Sequence, residues 1–226
     1  MFFFDSTYVL IIPGLLLGLY AQAKVKSAFK KYSKVQTRSG VPAQVIADRI
    51  LRENGNYGVH IEGTSGSLTD HFDPRTDTLR LSQTVYNTAT VASVGVAAHE
   101  AGHAMQKHEG SALMAVRGFI APVVNIGSAL SWPIFIVGLI LSWAPLVNIG
   151  ILLFSLVVLF ALITLPLEFN ASSRALKMLS TGGHMTEDEL HGVKKVLDAA
   201  ALTYVAALVS AALQLLRLML LARNRE

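Results

Sequence analysis

The sequence predicts a mainly α-helical membrane protein with about four transmembrane helices and a polar domain that contains a small β-hairpin or sheet. Apolar residues make up 52% of the 226-residue chain, charged residues make up only 15%, and the mean hydropathy is +0.48. Soluble domains carry about 25% charged residues. The composition therefore excludes a disordered or collagen-like chain and disfavours an ordinary soluble enzyme. The chain has no cysteine, which excludes a disulfide framework and a thiolate metal site.

Uncharged runs locate the predicted transmembrane helices. Such runs cover residues 6–23, the fifty residues 118–167, and residues 199–216. One crossing needs about 20 predominantly apolar residues. The runs therefore predict one span, then two spans joined by a turn near residues 143–145, and then a last span.

A basic cluster directly after the first span sets the predicted orientation. Six of the nineteen Lys and Arg residues lie between Lys24 and Arg38. A secretory signal would carry its basic residues before the apolar run, so the first span is predicted to be a retained anchor. The positive-inside rule then places the N-terminus outside and residues 24–117 in the cytoplasm of a multi-pass cell-membrane protein. The same cluster fits anionic lipid, so the lipid bilayer is an expected partner and nucleic acid is not.

The runs divide the chain into five predicted segments. They are an anchor (1–23), a polar domain (24–117), a transmembrane hairpin (118–167), a second polar segment (168–195) and a transmembrane or interfacial helix (196–226). The polar domain is predicted to contain an amphipathic helix over residues 42–54, a β-hairpin with strands 68–72 and 78–81, and an alanine-rich helix over residues 91–107.

The alanine-rich helix contains the strongest chemical signal, H-E-x-x-H at residues 99–103. Histidines at positions i and i+4 lie about 40° apart around a helix, so both imidazoles project from one face. This spacing suits two ligands of a tetrahedral zinc, and Glu100 can act as general base towards a metal-activated water. The alternative is that His99 and His103 are buried structural histidines and Glu100 is a surface carboxylate. Burial of three unpaired ionisable groups would be costly, which favours the zinc interpretation.

A catalytic zinc usually has three protein ligands, so a third one is needed. His108 follows His103 by five residues, which rotates it about 140° away from the ligand face. Two crossings of the membrane return the chain to the side that it left, and Glu168 is the first charged residue after residues 118–167. From topology alone, Glu168 is either the third ligand or an interfacial carboxylate that ends the span.

The chain resembles the YugP-like family of bacterial membrane zinc metallopeptidases over nearly its whole length. The segments that carry the resemblance are GSLTDHFDP (66–74), LRLS (79–82), VAAHEAGHAMQ (96–106) and LEFNASSRA (167–175). The resemblance implies a zincin-like, cytosol-facing domain with a gluzincin-like site, in which His99, His103 and Glu168 hold one Zn²⁺ per chain and Glu100 is the catalytic base. It also implies a zinc-dependent endopeptidase that hydrolyses peptides or membrane proteins at the membrane surface.

Four residues of the second polar segment are weaker candidates. Related membrane peptidases carry an aspartate four residues after the third ligand, where this chain has Ser172, so any partner to a ligand histidine there would be a neutral hydroxyl. Arg174, His184 and His191 could donate to the oxyanion of the reaction. Their alternatives are a lipid contact for Arg174 and exposed loop positions for the two histidines.

The predicted hairpin carries three further candidates, Asp70, His71 and Asp73. On a strand Asp70 would face one way and His71 and Asp73 the other, which disfavours a second metal site. Turn chemistry, with Asp73 ahead of Pro74, is the first interpretation. The second is that this edge pairs with an extended substrate backbone.

Two other functions compete with peptide hydrolysis. A transporter would carry ionisable groups within its spans, whereas residues 118–167 contain none. The stronger alternative is a non-hydrolytic, zinc-containing membrane scaffold or client-binding protein. Glu100 favours catalysis, because a structural zinc has four closed protein ligands and needs no base.

Overall fold

The computed structural model describes residues 6–223, and most of them are helical. A 3-10 segment (Ser6–Ile11) leads into α1 (Ile12–Tyr32), which is followed by α2 (Ala43–Glu53), β1 (His60–Thr64), β2 (His71–Asp73), β3 (Thr78–Ser82), α3 (Val91–His108), α4 (Ala112–Ile140), α5 (Ala144–Thr181) and α6 (Glu187–Arg223). The outer ends of the first and last predicted segments, residues 1–5 and 224–226, lie outside the described residues.

Within residues 6–223, four helical segments are long and apolar enough to cross a membrane, which confirms the predicted number of candidate spans. They are Ser6–Tyr32, Ala112–Ile140, Ala144–Thr181 and Glu187–Arg223. Glycines bring α4 and α5 close together, since a Cβ on Gly138 would lie 2.6 Å from the backbone nitrogen of Val147 and one on Gly150 would lie 2.7 Å from Cβ of Phe135. Small residues at helix contacts are typical of membrane helices, because there van der Waals packing must replace the hydrophobic effect.

The described chain forms two compact units. The apolar unit contains residues 6–22, 115–166 and 202–223, and the polar unit contains residues 23–114 and 167–201. Helix α5 is continuous from Ala144 to Thr181, so the predicted segments 118–167 and 168–195 share one helix.

The polar unit contains a three-stranded sheet with the order β1-β3-β2. Strands β2 and β3 are antiparallel, with Phe72 opposite Leu79, which confirms the predicted hairpin. The first hairpin strand begins at His71 rather than at residue 68, because Leu68 has a φ of +58° and lies in a loop. Strand β1 adds to β3 in parallel, and this pairing was not predicted. The sheet therefore has β1 and β2 as its two edges.

Helix α3 lies at the centre of the polar unit. It begins at a capping box, in which the Thr90 hydroxyl accepts from the backbone nitrogen of Ser93 and the Ser93 hydroxyl accepts from that of Thr90. The apolar side chains Ile46 and Ile50 of α2 are buried in the core that also contains the alanines of α3. A helix that is buried along most of its length provides a rigid base for any side chains that project from it.

Candidate metal centre

Three ionisable side chains converge between α3 and α5. His99 and His103 project from α3, and Glu168 projects from α5; their candidate ligand atoms all lie within 4.8 Å of one another. Oε2 of Glu168 lies 3.2 Å from Nε2 of His99 and 3.4 Å from Nε2 of His103. The Glu168 side chain is 3% exposed, so its carboxylate is committed to this cluster.

The donor set and its spacing fit a zinc ion. Two imidazole nitrogens and one carboxylate oxygen form a common ligand set of catalytic zinc sites. Ligand atoms about 2.0–2.2 Å from one tetrahedral ion lie about 3.3–3.6 Å apart. The two nitrogen–oxygen distances to Glu168, 3.2 and 3.4 Å, are close to that spacing. A trio of protein ligands also leaves one tetrahedral position for water or substrate.

Backbone contact between the two helices makes this convergence possible. A Cβ on Gly102 would lie 2.6 Å from the carbonyl oxygen of Ala171 in α5. Real Cβ atoms do not approach backbone atoms so closely, so only glycine allows α3 and α5 to pack at this distance. Gly102 lies between the two histidines in the sequence, and Ala171 lies three residues after Glu168. The close approach therefore occurs at the level of the ligands.

Each histidine uses its other ring nitrogen for a second contact. Nδ1 of His99 lies 3.1 Å from Oγ of Ser172, and Nδ1 of His103 lies 2.9 Å from Oε1 of Gln106. Ligand histidines in metalloproteins characteristically have such partners, which orient the ring. Ser172, one of the weaker candidates, thus contacts His99, and its role stays a prediction. Gln106 was not among the predicted residues.

The electrostatic surroundings of His103 favour its charged form when no metal neutralises Glu168. Burial alone would lower the pKa of His103, but the hydrogen bond that its ring donates to Glu168 and the charges of Glu100 and Glu168 raise it above its usual value. Glu100 is half-buried on α3. It follows His99 directly in the sequence of α3.

Two of the three predicted oxyanion donors, Arg174 and His184, have other partners in the structure. Arg174 donates from Nε to Oδ1 of Asn170 and from Nη1 to Glu109. Nε2 of His184 lies 2.8 Å from Oε2 of Glu53 in α2, and His191 is exposed on α6. The structure does not bring these three residues into the ligand cluster, and their role in the reaction stays a prediction.

The hairpin candidates make local hydrogen bonds. Asp70 accepts from the backbone nitrogen and the hydroxyl of Ser82, and burial raises its pKa although these bonds oppose the shift. Nδ1 of His71 lies 2.9 Å from the carbonyl oxygen of Thr69. Asp73 accepts from the backbone nitrogen of Arg75, which closes the turn and lowers the pKa of Asp73. Because β2 is an edge strand, the substrate-edge role stays a prediction beside these structural roles.

Comparisons with known proteins independently point to a zinc peptidase. A family model described as "Putative neutral zinc metallopeptidase" matches residues 7–223. The chain is 46% identical over 215 residues, which is 95% of the chain and 96% of the relative, to a protein of Bacillus subtilis (strain 168) named "Putative membrane protease YugP". No solved structure gives a significant match.

Proposed function

The chain belongs to the neutral zinc metallopeptidase family that the family model describes, and from that premise we propose that it is a membrane-integrated, zinc-dependent endopeptidase. The observation that carries the proposal is the convergence of His99, His103 and Glu168 within 4.8 Å, next to the half-buried Glu100. Family membership supports a peptidase that uses zinc. The individual residue roles rest on the geometry of this cluster.

In this proposal His99, His103 and Glu168 hold one zinc ion per chain. When bound, zinc supplies a Lewis acid that polarises the scissile carbonyl and acidifies water. Glu100 accepts the proton of the attacking water on its carboxylate and donates it to the leaving amine. Ser172 and Gln106 orient the two imidazoles, so that Nε2 of each ring faces Glu168.

We place the site on the cytoplasmic side of the cell membrane, with the N-terminus outside. The basic cluster between Lys24 and Arg38 lies at the end of the first apolar helix and in the loop after it, as the positive-inside rule requires of a cytoplasmic segment. Glu168 follows the second long apolar run directly in the chain. Peptides or membrane proteins presented at the bilayer surface are therefore the proposed substrates.

Replacement of the base tests the proposal. A Glu100→Gln variant should bind zinc at the same stoichiometry as the wild type and lose about 10²–10⁴-fold in turnover, because the amide cannot accept the proton. The measurement is cleavage of a casein-like unfolded protein and of a membrane peptide in detergent, together with metal analysis of the purified protein. Glu187→Gln, at an exposed acid in the first turn of α6, is the matched control and should keep full activity.

The same experiment separates hydrolysis from zinc-dependent client binding. Full activity of Glu100→Gln would contradict the assigned base. A wild-type protein that holds one zinc but cleaves neither substrate, even after zinc is added, would favour the scaffold. Loss of zinc in His99→Ala and Glu168→Ala is expected in both cases and checks the ligand set independently of turnover.

A further inference from the structure

Gln106 is an uncharged polar residue whose side chain is completely buried beside the metal cluster. It lies on α3 one turn after His103 and is 0% exposed. Its Oε1 lies 2.9 Å from Nδ1 of His103. Its Nε2 donates to the carbonyl oxygen of Leu167, at 2.8 Å, and to Oδ1 of Asn170, at 2.9 Å. One amide thus contacts a ligand on α3 and the residue that precedes the ligand Glu168 on α5.

These partners determine which way round the Gln106 amide lies. A backbone carbonyl can only accept hydrogen bonds, so the atom that faces Leu167 must be the NH₂ group. The oxygen of Gln106 is therefore the atom that faces His103. Asn170 is oriented in the same way, because its Oδ1 also accepts from Nε of Arg174, which is a donor only.

The amide orientation in turn determines the proton position on His103. Since Oε1 of Gln106 can only accept, Nδ1 of His103 must carry the hydrogen. In the neutral ring the lone pair is then on Nε2, the nitrogen that faces Glu168 at 3.4 Å. A metal ligand must present this lone pair. The chain of contacts continues from Asn170 to Arg174, which donates to Glu109 at 2.6 Å.

We propose that Gln106 is a positioning residue, which keeps His103 in the Nδ1–H tautomer and holds α5 at the height where Glu168 completes the metal site. The proposal rests on the zinc role proposed for His103 and Glu168. The two functions of Gln106 are chemically separable, since its Oε1 accepts from His103 and its Nε2 donates to α5.

Two substitutions separate these functions. Gln106→Met keeps the shape of the side chain but removes the acceptor and both donors, and it should weaken zinc binding about 10–100-fold, as the loss of a ligand's partner does. Gln106→Glu keeps an acceptor for His103 but places its second oxygen against two acceptors, the carbonyl of Leu167 and Oδ1 of Asn170. It should therefore retain the Nδ1–H tautomer of His103 and lose stability and zinc affinity only through the displacement of α5. The dissociation constants are measured by competition with a chromogenic chelator, and unfolding of the zinc-free proteins in detergent shows what each change costs the fold. Gln83→Met, at an exposed glutamine, is the control and should match the wild type.

A purely structural role gives a different result. If Gln106 were only structural, Gln106→Met and Gln106→Glu would lose zinc affinity in proportion to the stability that each loses without zinc. That result would overturn the proposal. Unchanged zinc affinity of Gln106→Met would overturn it as well. Nitrogen-15 NMR of the zinc-free wild type at alkaline pH needs no variant, and His103 should appear as the Nδ1–H tautomer. An Nε2–H tautomer of His103 would overturn the proposal. A wild-type protein that shows the Nδ1–H tautomer but binds no zinc would instead overturn the proposed zinc site, and the tautomer assignment would still hold.

Discussion

The two histidines of the metal cluster are held in different ways. His103 is buried, and its partner Gln106 is itself bonded to two groups of α5. His99 is half-buried, and its partner is the single hydroxyl of Ser172. The His103 side is thus a network fixed to the backbone of α5, while the His99 side is simpler and slightly more accessible, with 14% of the His99 side chain exposed against 10% for His103.

This difference fits the chemistry proposed for the site. Glu100 follows His99 in the chain and is half-buried like it, so the accessible side carries the group that must exchange protons with water. A catalytic site needs ligands that stay in place and an approach for substrate. Here His103 with Gln106 meets the first requirement, and the neighbourhood of His99 and Glu100 meets the second. The following substitutions test the comparison, in order of expected effect.

The largest effect is expected from Gly102→Ala, which acts on the network side. The new Cβ would lie 2.6 Å from the carbonyl oxygen of Ala171, and backbone atoms cannot yield without moving α5 away from α3. Overpacking of this kind typically costs about 1–3 kcal/mol. We expect lower thermal stability of the zinc-free protein in detergent and weaker zinc binding, because Glu168 moves with α5.

Gly95→Ala is the matched control on the same helix. Its Cβ would lie 2.9 Å from Cγ1 of Val193 in α6, so the crowding falls on a side chain of another helix and not on the backbone of α5. Gly95→Ala should therefore leave Glu168 in place and zinc affinity unchanged. Both changes gain up to about 1 kcal/mol of helix propensity, which cancels in the comparison. Equal effects of the two variants would show that the contact with Ala171 does not position Glu168.

An intermediate effect is expected from Ser172→Ala, which acts on the accessible side. It removes one neutral hydrogen bond to His99, and such a bond contributes about 1 kcal/mol, so zinc affinity should fall less than tenfold. Ser172→Asp should increase zinc affinity, because a carboxylate partner makes a ligand histidine more basic. Chelator competition measures both. If Ser172→Ala weakened zinc binding more than Gln106→Met, the proposed difference between the two sides would be wrong.

Much of the fold could be predicted because its signals are local in the sequence. Uncharged runs of sufficient length gave four candidate spans, and the i, i+4 spacing placed His99 and His103 on one helix face. The even number of predicted crossings indicated only that Glu168 returns to the membrane face of α3. Its place beside the two histidines was implied by the family resemblance, and the structure has the three side chains together.

The features that were missed depend on tertiary geometry. Gln106 ends the segment 96–106, but no pattern in that segment predicts a role for its side chain. The role depends on which carbonyl of α5 comes within hydrogen-bonding distance. The available signal was its position three residues after His103, which puts it on nearly the same helix face. The parallel pairing of β1 with β3 was missed for the same reason, because strand partners far apart in the chain leave no local pattern.

The smallest effect is expected from Arg174→Met, at the far end of the His103 network. The Arg174 and Glu109 side chains are 28% and 47% exposed, and exposed ion pairs contribute about 0–1 kcal/mol. Zinc affinity should therefore remain close to that of the wild type, because two further hydrogen bonds separate Arg174 from His103.

The pH dependence of stability separates the two bonds that Arg174 makes. The hydrogen bond from Arg174, together with its charge, lowers the pKa of Glu109, so in the folded protein the ionised carboxylate contributes stability above the ordinary glutamate pKa. This contribution is lost as the pH falls through the lowered pKa. Unfolding of the zinc-free wild type and of Arg174→Met should therefore differ at neutral pH and converge on acidification. Any difference in the free energy of unfolding that remains in acid comes from the bond between Arg174 and Asn170, which does not titrate. That remaining difference measures how much the network depends on Arg174, its outermost residue.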